Sequence, residues 1–534
     1  MMCRPFAPLL ALGAWTIQAL AAPAVHPRDY NTTCRRTKVA ILGGGVAGIT
    51  AAQALSNQSI SDFLIIEYND YIGGRIQHTN FGNDSDGNPY VIEKGANWVQ
   101  GLGTEGGPEN PIWTFAKEYN ISNEYSNYSS ILTYNETGYV DYMDLLNEYE
   151  DTIWTDFEQA AGSILTENLQ SRSFRAGLWQ ANWRPKRNMM AQAIEWWQWD
   201  WETSYSPDES DFVFGITGYN LTFYQYSEEN NFVTDQRGFN AWLKGVASTF
   251  LEPDDSRLLL STIVTNISYT SDGVTVTMED GSCVEADYAV CTFSLGVLQN
   301  DAVTFEPELP DWKQTSIATF QMGTYTKIYY QFNETFWDPD TQFFLYADPA
   351  HRGYYPVWQS LTPEGFIPDS NIIFATMVGR DSYRIEAQDD ETTKQEGLEV
   401  LRKMFPDVDI PEPIDFYYPR WSMEPWAYGS YSNWPPGTTL EDHQNLRANV
   451  ERLYFAGEHT SAEYYGFLHG AWFEGREAGE RIAGAITTEC INVKSGCGNY
   501  TNYVELHGTT SFDEYNAFNG LGVSPFINNI VDEA

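Results

Sequence analysis

The sequence predicts an α/β protein of mixed α+β character, in which an interleaved Rossmann-like dinucleotide-binding unit is joined to a block of mixed β-sheet flanked by helices. Three observations predict this. A strand, glycine turn, helix and second strand stand near the start. Hairpin-forming runs lie in the middle, and a short apolar strand followed by a long helix stands near the end. The closing strand of the nucleotide unit (Leu453 to Ala456) is thus far in sequence from its first strand, and other blocks are inserted between them.

The opening unit runs from Lys38 to Arg75. An apolar run, Val39 to Leu42, enters a turn at Gly43, Gly45 and Gly48. A helical pattern follows, and a second apolar run, Phe63 to Ile66, ends in Glu67. Gly43 permits the tight turn, Gly45 lets the backbone approach a pyrophosphate, and Gly48 lets helix and strand pack closely. The helix N-terminus offers unpaired N–H groups to phosphates. Glu67 stands about 20 residues on, where a carboxylate accepts hydrogen bonds from a ribose hydroxyl. The unit therefore implies an adenine dinucleotide and redox chemistry.

Val91 to Gly103 is an apolar stretch leading into a glycine-rich loop. Residues from about Tyr119 to Asn220 read as helical, aromatic and acidic. Among them Glu195 to Glu202, EWWQWDWE, carries four tryptophans on more than one helical face. Such a helix is buried or borders a cavity. From Asn188 to Gln236 there is no Lys or Arg but nine acids, which makes a candidate cation-attracting wall, with a solvated acidic face as the plainer alternative. Leu258 to Asp287 alternates as strands about a Ser271-Asp272-Gly273 turn, and Asp287 to Phe293 reads as a buried strand. A further mixed region runs from about Ser316 to Arg420, and Leu453 to Ile486 gives the last strand and helix.

The bulk properties set bounds. With 534 residues the chain needs two or more domains. A formal charge of −43, from 73 acids against 30 bases, excludes a nucleic-acid binder, which needs a basic face. An acidic field attracts cations instead. Arg4, the apolar Phe6 to Leu20, and the small residues Ala19 and Ala21 read as a secretory signal over residues 1–21. No apolar run is long enough to span a membrane. Ten Asn-x-Ser/Thr acceptors, at Asn31, Asn57, Asn83, Asn120, Asn127, Asn135, Asn220, Asn266, Asn333 and Asn499, point to N-linked glycans on an exported chain. Of the six cysteines, Cys3 lies in the signal, and Cys490 and Cys497 are expected to pair. Cys34, Cys283 and Cys291 are left over, the latter two in strand-like runs that suit buried thiols. No Cys/His spacing matches a zinc site, so no metal is expected.

Eight stretches in order carry a resemblance: GGGVAG, IIEYNDYIGGR, EKGANWVQG, FVTDQRG, CTFSLGVLQ, YTKIYYQF, PRWSMEPWAYGSYSNWPPG and YFAGEHTSAEYYGFLHGAW. From Thr37 to Ile486 the chain resembles the flavin-containing amine oxidases, and among them the secreted polyamine oxidases. The resemblance implies an FAD-binding domain built from residues 37–121, 222–317 and 422–490. It implies a substrate-binding domain from 122–221 and 318–421, with a tail over 491–534. It also implies non-covalent FAD, oxidation of a C–N bond of a cationic amine, reoxidation by O2 to hydrogen peroxide, and hydrolysis of the imine. Oligomeric state stays open.

Carried over by position, the resemblance gives the pyrophosphate to Gly43, Gly45 and Gly48 and the adenosine ribose to Glu67. Gly74 and Arg75 fall beside the phosphates and ribityl chain, where a guanidinium pairs with phosphate oxygens. Val264 meets the adenine through its backbone, Gly457 and Glu458 lie near the ribityl end, and Trp421 packs near the flavin ring. Lys327 takes the place of a lysine that holds a water at the flavin, and burial lowers the pKa of such an amine. Tyr431 and Phe467 become two aromatic walls around the reacting amine, suited to cations by cation–π attraction. Phe467 departs from the tyrosine common there. Glu202 becomes a tunnel-wall carboxylate for a distal ammonium. Gln100 stands where related oxidases carry a glutamate, and it supplies a hydrogen bond without charge. Alternatives are an oxidase of aromatic monoamines or amino acids, the latter needing a pocket arginine such as Arg420. A histone-demethylase-like relative and a flavin-binding protein without turnover complete the set.

Overall fold

The computed structural model describes residues 33–150, 160–161, 164 and 169–488. Its first sheet has eight strands, and the pattern of strand Arg35–Leu42 shows why it is a central one. Val39, Ile41, Phe63 and Ile65 pack into one core. Ala40, Leu42, Leu64 and Ile66 pack into a second core on the opposite face. Successive side chains of a strand point to opposite faces, so a strand covered on both sides reads as continuously apolar. The order along the sheet is Leu258–Leu259, Phe63–Ile66, Arg35–Leu42, Cys283–Cys291, Val274–Met278, Val264–Tyr269 and Thr304–Glu306. Strand Leu453–Phe455 joins it in parallel with Cys283–Cys291, pairing Leu453 with Ala289. The strand near the end of the chain thus does close the sheet begun near its start.

Helix Val46–Asn57 crosses this sheet beside the last helix, Leu468–Thr487. Their backbones touch because Gly475 and Gly479 face Ala47 and Ala51. A Cβ on Gly475 would lie 2.2 Å from the Ala47 carbonyl oxygen.

The second large sheet has seven strands, ordered Asp415–Tyr417, Tyr325–Gln331, Ile372–Val378, Val357–Ser360, Phe343–Ala347, Ile131–Asn135 and Gly138–Tyr139. Strand Tyr325–Gln331 runs antiparallel to Ile372–Val378, pairing Lys327 with Thr376.

Two expectations are corrected. The stretch after Tyr119 is not helical throughout: strands occupy Asn123–Tyr125, Ile131–Asn135 and Gly138–Tyr139 before the helices begin. Ile131 and Tyr134 are buried in separate cores on opposite faces of the strand, so tertiary packing on the second sheet overrode the helical reading. Cys283 is not a free thiol but forms a disulfide with Cys34. The parallel register places Arg35 opposite Val284, so the residues one step earlier, Cys34 and Cys283, fall side by side. Cys291 is the free, buried cysteine among the described residues. Cys490, Cys497 and the signal segment lie outside the described residues.

Candidate active site

One cavity of about 470 Å³ gathers the glycine turn, the start of strand Tyr325–Gln331 and the start of the last helix. That is within the range of roughly 300–1,000 Å³ usual for small-molecule sites. Gly43, Gly45, Glu67, Gly74, Arg75, Val264, Trp421, Gly457, Glu458, Gln100, Glu202, Tyr431 and Phe467 all line it. Gly48 and Lys327 stand behind the surface. Gly48 lies under the turn, where a Cβ would sit 1.9 Å from the Gly43 carbonyl oxygen. Its role is therefore close packing.

The turn is held by the sheet. Gly43 takes φ +113°, a conformation that side chains rarely adopt. Its N–H donates to the Ile66 carbonyl at 2.8 Å. The Gly44 N–H donates to Glu67 Oε2 at 2.5 Å, and Asn69 donates to Oε1 through its backbone and side-chain amides. Burial raises the Glu67 pKa, and these donors oppose the rise. Gly45 faces open space, with nothing within 4 Å of a built Cβ. The donor set fits a dinucleotide: a backbone cradle with room before it, an acid with spare lone pairs, and a guanidinium close by. Gly74, whose built Cβ would lie 3.4 Å from Gly45 Cα, brings Arg75 beside the turn.

From Arg75 a chain of contacts leads to the far wall. Arg75 Nη1 donates to Glu458 Oε1 and to the Ser430 carbonyl, each at 2.8 Å. Glu458 Oε2 accepts from Ser432 Oγ at 2.7 Å and from the Gly466 N–H at 2.9 Å. Burial alone would raise the Glu458 pKa, but Arg75 and these donors bring it below the ordinary carboxylate range. Trp421 donates its indole N–H to the Lys94 carbonyl at 3.1 Å and packs under Gly95.

The far wall holds the polar and aromatic side chains. Gln100 Nε2 donates to Glu202 Oε1 at 2.6 Å, and Tyr431 OH donates to the Glu202 carbonyl at 2.8 Å. Burial pushes the Glu202 carboxyl up to about 7, and the Gln100 amide opposes it. The Tyr431 ring packs against Tyr325, with centroids 6.1 Å apart, while Phe467 stacks on His469 at 5.1 Å. Lys327 is buried on its strand. Its Nζ donates to the Gly95 carbonyl at 2.9 Å and to Asn97 Oδ1 at 2.7 Å, and both of these residues line the cavity. Burial lowers the Lys327 pKa and raises that of neighbouring Glu93, each opposing the other's shift.

The acidic stretch is divided between solvent and internal pairs, with Asp208, Glu228 and Glu229 exposed. Of its nine acids only Glu202 lines the cavity. Glu195 and Asp200 are buried against Arg175 and Arg352. Asp211 caps the helix Phe212–Tyr226. The tryptophans of EWWQWDWE are all buried, and Trp201 borders the cavity. Arg420 pairs with Asp390 at 2.5 Å and does not line the cavity. Sequence reasoning gave no role to Asn97, which holds the Lys327 ammonium. Its place within the EKGANW stretch was the available signal.

A nucleotide-type turn feeding a cavity with an aromatic, carboxylate-bearing wall is the arrangement of an enzyme that works on a small molecule beside a bound dinucleotide. The model of the flavin containing amine oxidoreductase family matches residues 46–483. Polyamine oxidase 7 of Oryza sativa subsp. japonica is 37% identical over 455 residues, 82% of this chain and 93% of the relative. Polyamine oxidase 1 of Zea mays is 37% identical over 461 residues, 83% of this chain and 89% of the relative. Among solved structures, wild-type putrescine oxidase bound to putrescine superposes with a TM-score of 0.64 at 17% identity, covering 86% of this chain and 100% of that one. The chain belongs to the flavin-containing amine oxidoreductase family, and it is a flavin-dependent amine oxidase.

Proposed function

We propose that this protein is a secreted FAD-dependent oxidase of polyamines such as spermine and spermidine or their acetylated forms. The overall reaction converts amine, O2 and water to an aminoaldehyde, a smaller amine and hydrogen peroxide. The observation that carries the reading is the pairing of Glu202 with Gln100 in the same cavity as the glycine turn and Glu67. A single carboxylate at that wall suits a distal ammonium, and the relatives named polyamine oxidases at 37% identity support the substrate class.

Gly43 and Gly45 with Glu67, Arg75 and Glu458 are the residues suited to hold FAD without a covalent bond. Bound there, the flavin supplies the two-electron acceptor for the C–N bond. The protein's own groups do the rest. Tyr431 and Phe467 flank the amine and exclude water, since flat apolar faces accept a cation without a counter-charge. Glu202 draws the distal ammonium and so fixes which carbon reaches the reacting position. Lys327, its pKa lowered by burial and its Nζ held by Gly95 and Asn97, is suited to exchange a proton with a water that enters the cavity.

Amino-acid oxidation is disfavoured because Arg420 is committed to Asp390 outside the cavity and Arg75, which lines it, is paired with Glu458. Export is supported by the Cys34–Cys283 disulfide and by exposed acceptors at Asn57, Asn83, Asn120 and Asn333. A peroxide-coupled screen of spermine, spermidine, their acetylated forms, putrescine, tyramine and free amino acids tests the reading. Polyamines should give the highest kcat/KM. Turnover of tyramine or amino acids alone would overturn it.

A further inference from the structure

A single π-helical turn, Trp196–Asp200, is inserted between the helix Met189–Glu195 and the short helix Trp201–Thr203 that carries Glu202. Such turns are rare and strained relative to the α-helix, and they concentrate at functional sites. One extra residue in the turn rotates every later side chain by roughly 100° about the axis. The turn therefore decides where Trp201 and Glu202 point, and both line the cavity.

Its two ends are gripped from the second sheet. Arg352, in the loop between strands Phe343–Ala347 and Val357–Ser360, reaches both acids that bracket the turn. Its Nη1 donates to Asp200 Oδ2 at 2.6 Å. Its Nη2 donates to Asp200 Oδ1 at 2.7 Å and to Glu195 Oε1 at 3.0 Å. Arg175 holds Glu195 from the other side at 2.5 and 2.7 Å. The next residue, Gly353, takes φ +81°, and a Cβ there would lie 2.9 Å from Trp196 Nε1. The loop backbone thus lies directly on the turn. Glu195 is fully buried and Asp200 nearly so, which makes a loosely held guanidinium untenable here.

We propose that Arg352 is a positioning residue for substrate selection: its two-pronged grip on the π turn sets how far the Glu202 carboxylate reaches into the cavity, and so how strongly the protein prefers an amine with a second, distal ammonium. The inference rests on the reading of Glu202 as the group that holds that ammonium.

The test measures dissociation constants of the holoprotein for 1,8-diaminooctane and for octylamine, followed through the flavin absorption spectrum. Native protein is compared with Arg352→Lys, Asp200→Asn, Glu202→Gln and the double variant Arg352→Lys/Glu202→Gln. The diamine-over-monoamine preference should fall about tenfold in Arg352→Lys and in Asp200→Asn, the scale of one charge-assisted hydrogen bond, while the octylamine constant stays within about twofold. The double variant should be no worse than Glu202→Gln alone. An unchanged preference in Arg352→Lys and Asp200→Asn overturns the proposal, as does an additive loss in the double variant. Asp200→Asn leaves Arg352 bound to Glu195 and decides the matter if Arg352→Lys does not fold. Failure of both to fold makes the grip purely structural and also overturns it. Absence of any diamine preference in the native protein is a different failure, because it removes the reading of Glu202 before any variant is considered.

Discussion

Gln100 Nε2 donates to Glu202 Oε1 over 2.6 Å, joining the strand Trp98–Gln100 to the short helix beyond the π turn. A neutral amide orients the carboxylate without adding a second charge. Glu202 is consequently the one acid among amide and aromatic neighbours, and burial pushes it up to about 7.

That value sets a pH dependence. Below about 7 the group is largely protonated and offers no charge to a distal ammonium, and above it the charge is present. Affinity for 1,8-diaminooctane should therefore tighten as pH rises through neutrality and then level off. Octylamine should show little of this, and Glu202→Gln should flatten the diamine profile. The stability sign is opposite. The folded form holds this proton more tightly than the unfolded chain, so Glu202 costs stability progressively between the ordinary 4.5 and about 7 as pH rises. Spectroscopic titration across neutrality and melting temperatures of native and Glu202→Gln protein check both signs.

Lys327→Met removes the ammonium while keeping the unbranched apolar stem of the side chain. The Gly95 carbonyl and Asn97 Oδ1 lose their donor, which should cost on the order of 1–3 kcal/mol. Loss of a proton-exchanging group should lower turnover by on the order of 100-fold. Stopped-flow measurement of flavin reduction and reoxidation assigns the loss to one half-reaction. Unchanged rates in both would remove Lys327 from the chemistry.

Much of the fold was legible in the chain because local pattern and tertiary role agree there. Val39 to Leu42 and Phe63 to Ile66 are apolar at every position, and both faces of their sheet are covered. The glycine turn could be read because Gly43 needs its positive φ and Gly48 its missing Cβ. What stayed hidden depends on partners distant in sequence. Ile131–Asn135 becomes a strand only by pairing with Phe343–Ala347. Glu195 and Asp200 read as part of a cation-attracting wall until Arg175 and Arg352 arrive from elsewhere in the chain. Cys34 and Cys283, separated by 249 positions, meet only through the parallel register of two strands.

The same disulfide predicts a stability effect without a catalytic one. It ties the first strand to the central strand of the eight-stranded sheet, away from the residues that line the cavity. A double Cys34→Ser/Cys283→Ser variant should lose about 2–5 kcal/mol in denaturant unfolding and keep its KM for polyamine. Cys291, buried and with its thiol pushed up to about 12, should stay silent to thiol reagents until the protein unfolds.

Glu458 links the glycine-turn side of the cavity to its aromatic side through one carboxylate. Oε1 takes the Arg75 guanidinium, while Oε2 takes Ser432, which follows Tyr431, and Gly466, which precedes Phe467. Both aromatic walls are therefore anchored on the same oxygen. Glu458→Leu should cost about 3 kcal/mol or more, because it leaves Arg75 without its counter-charge and two donors without an acceptor. Glu458→Gln keeps the shape but turns an N–H group toward other donors, and should raise KM for polyamine more than it lowers flavin content. Because folding lowers the Glu458 pKa, its stabilisation is complete above the ordinary 4.5 and is lost as pH falls below it. The melting-temperature gap between native and Glu458→Gln protein should accordingly shrink on acidification. A gap that stays constant from neutral to acid pH would show that shape, not charge, is what the two walls require.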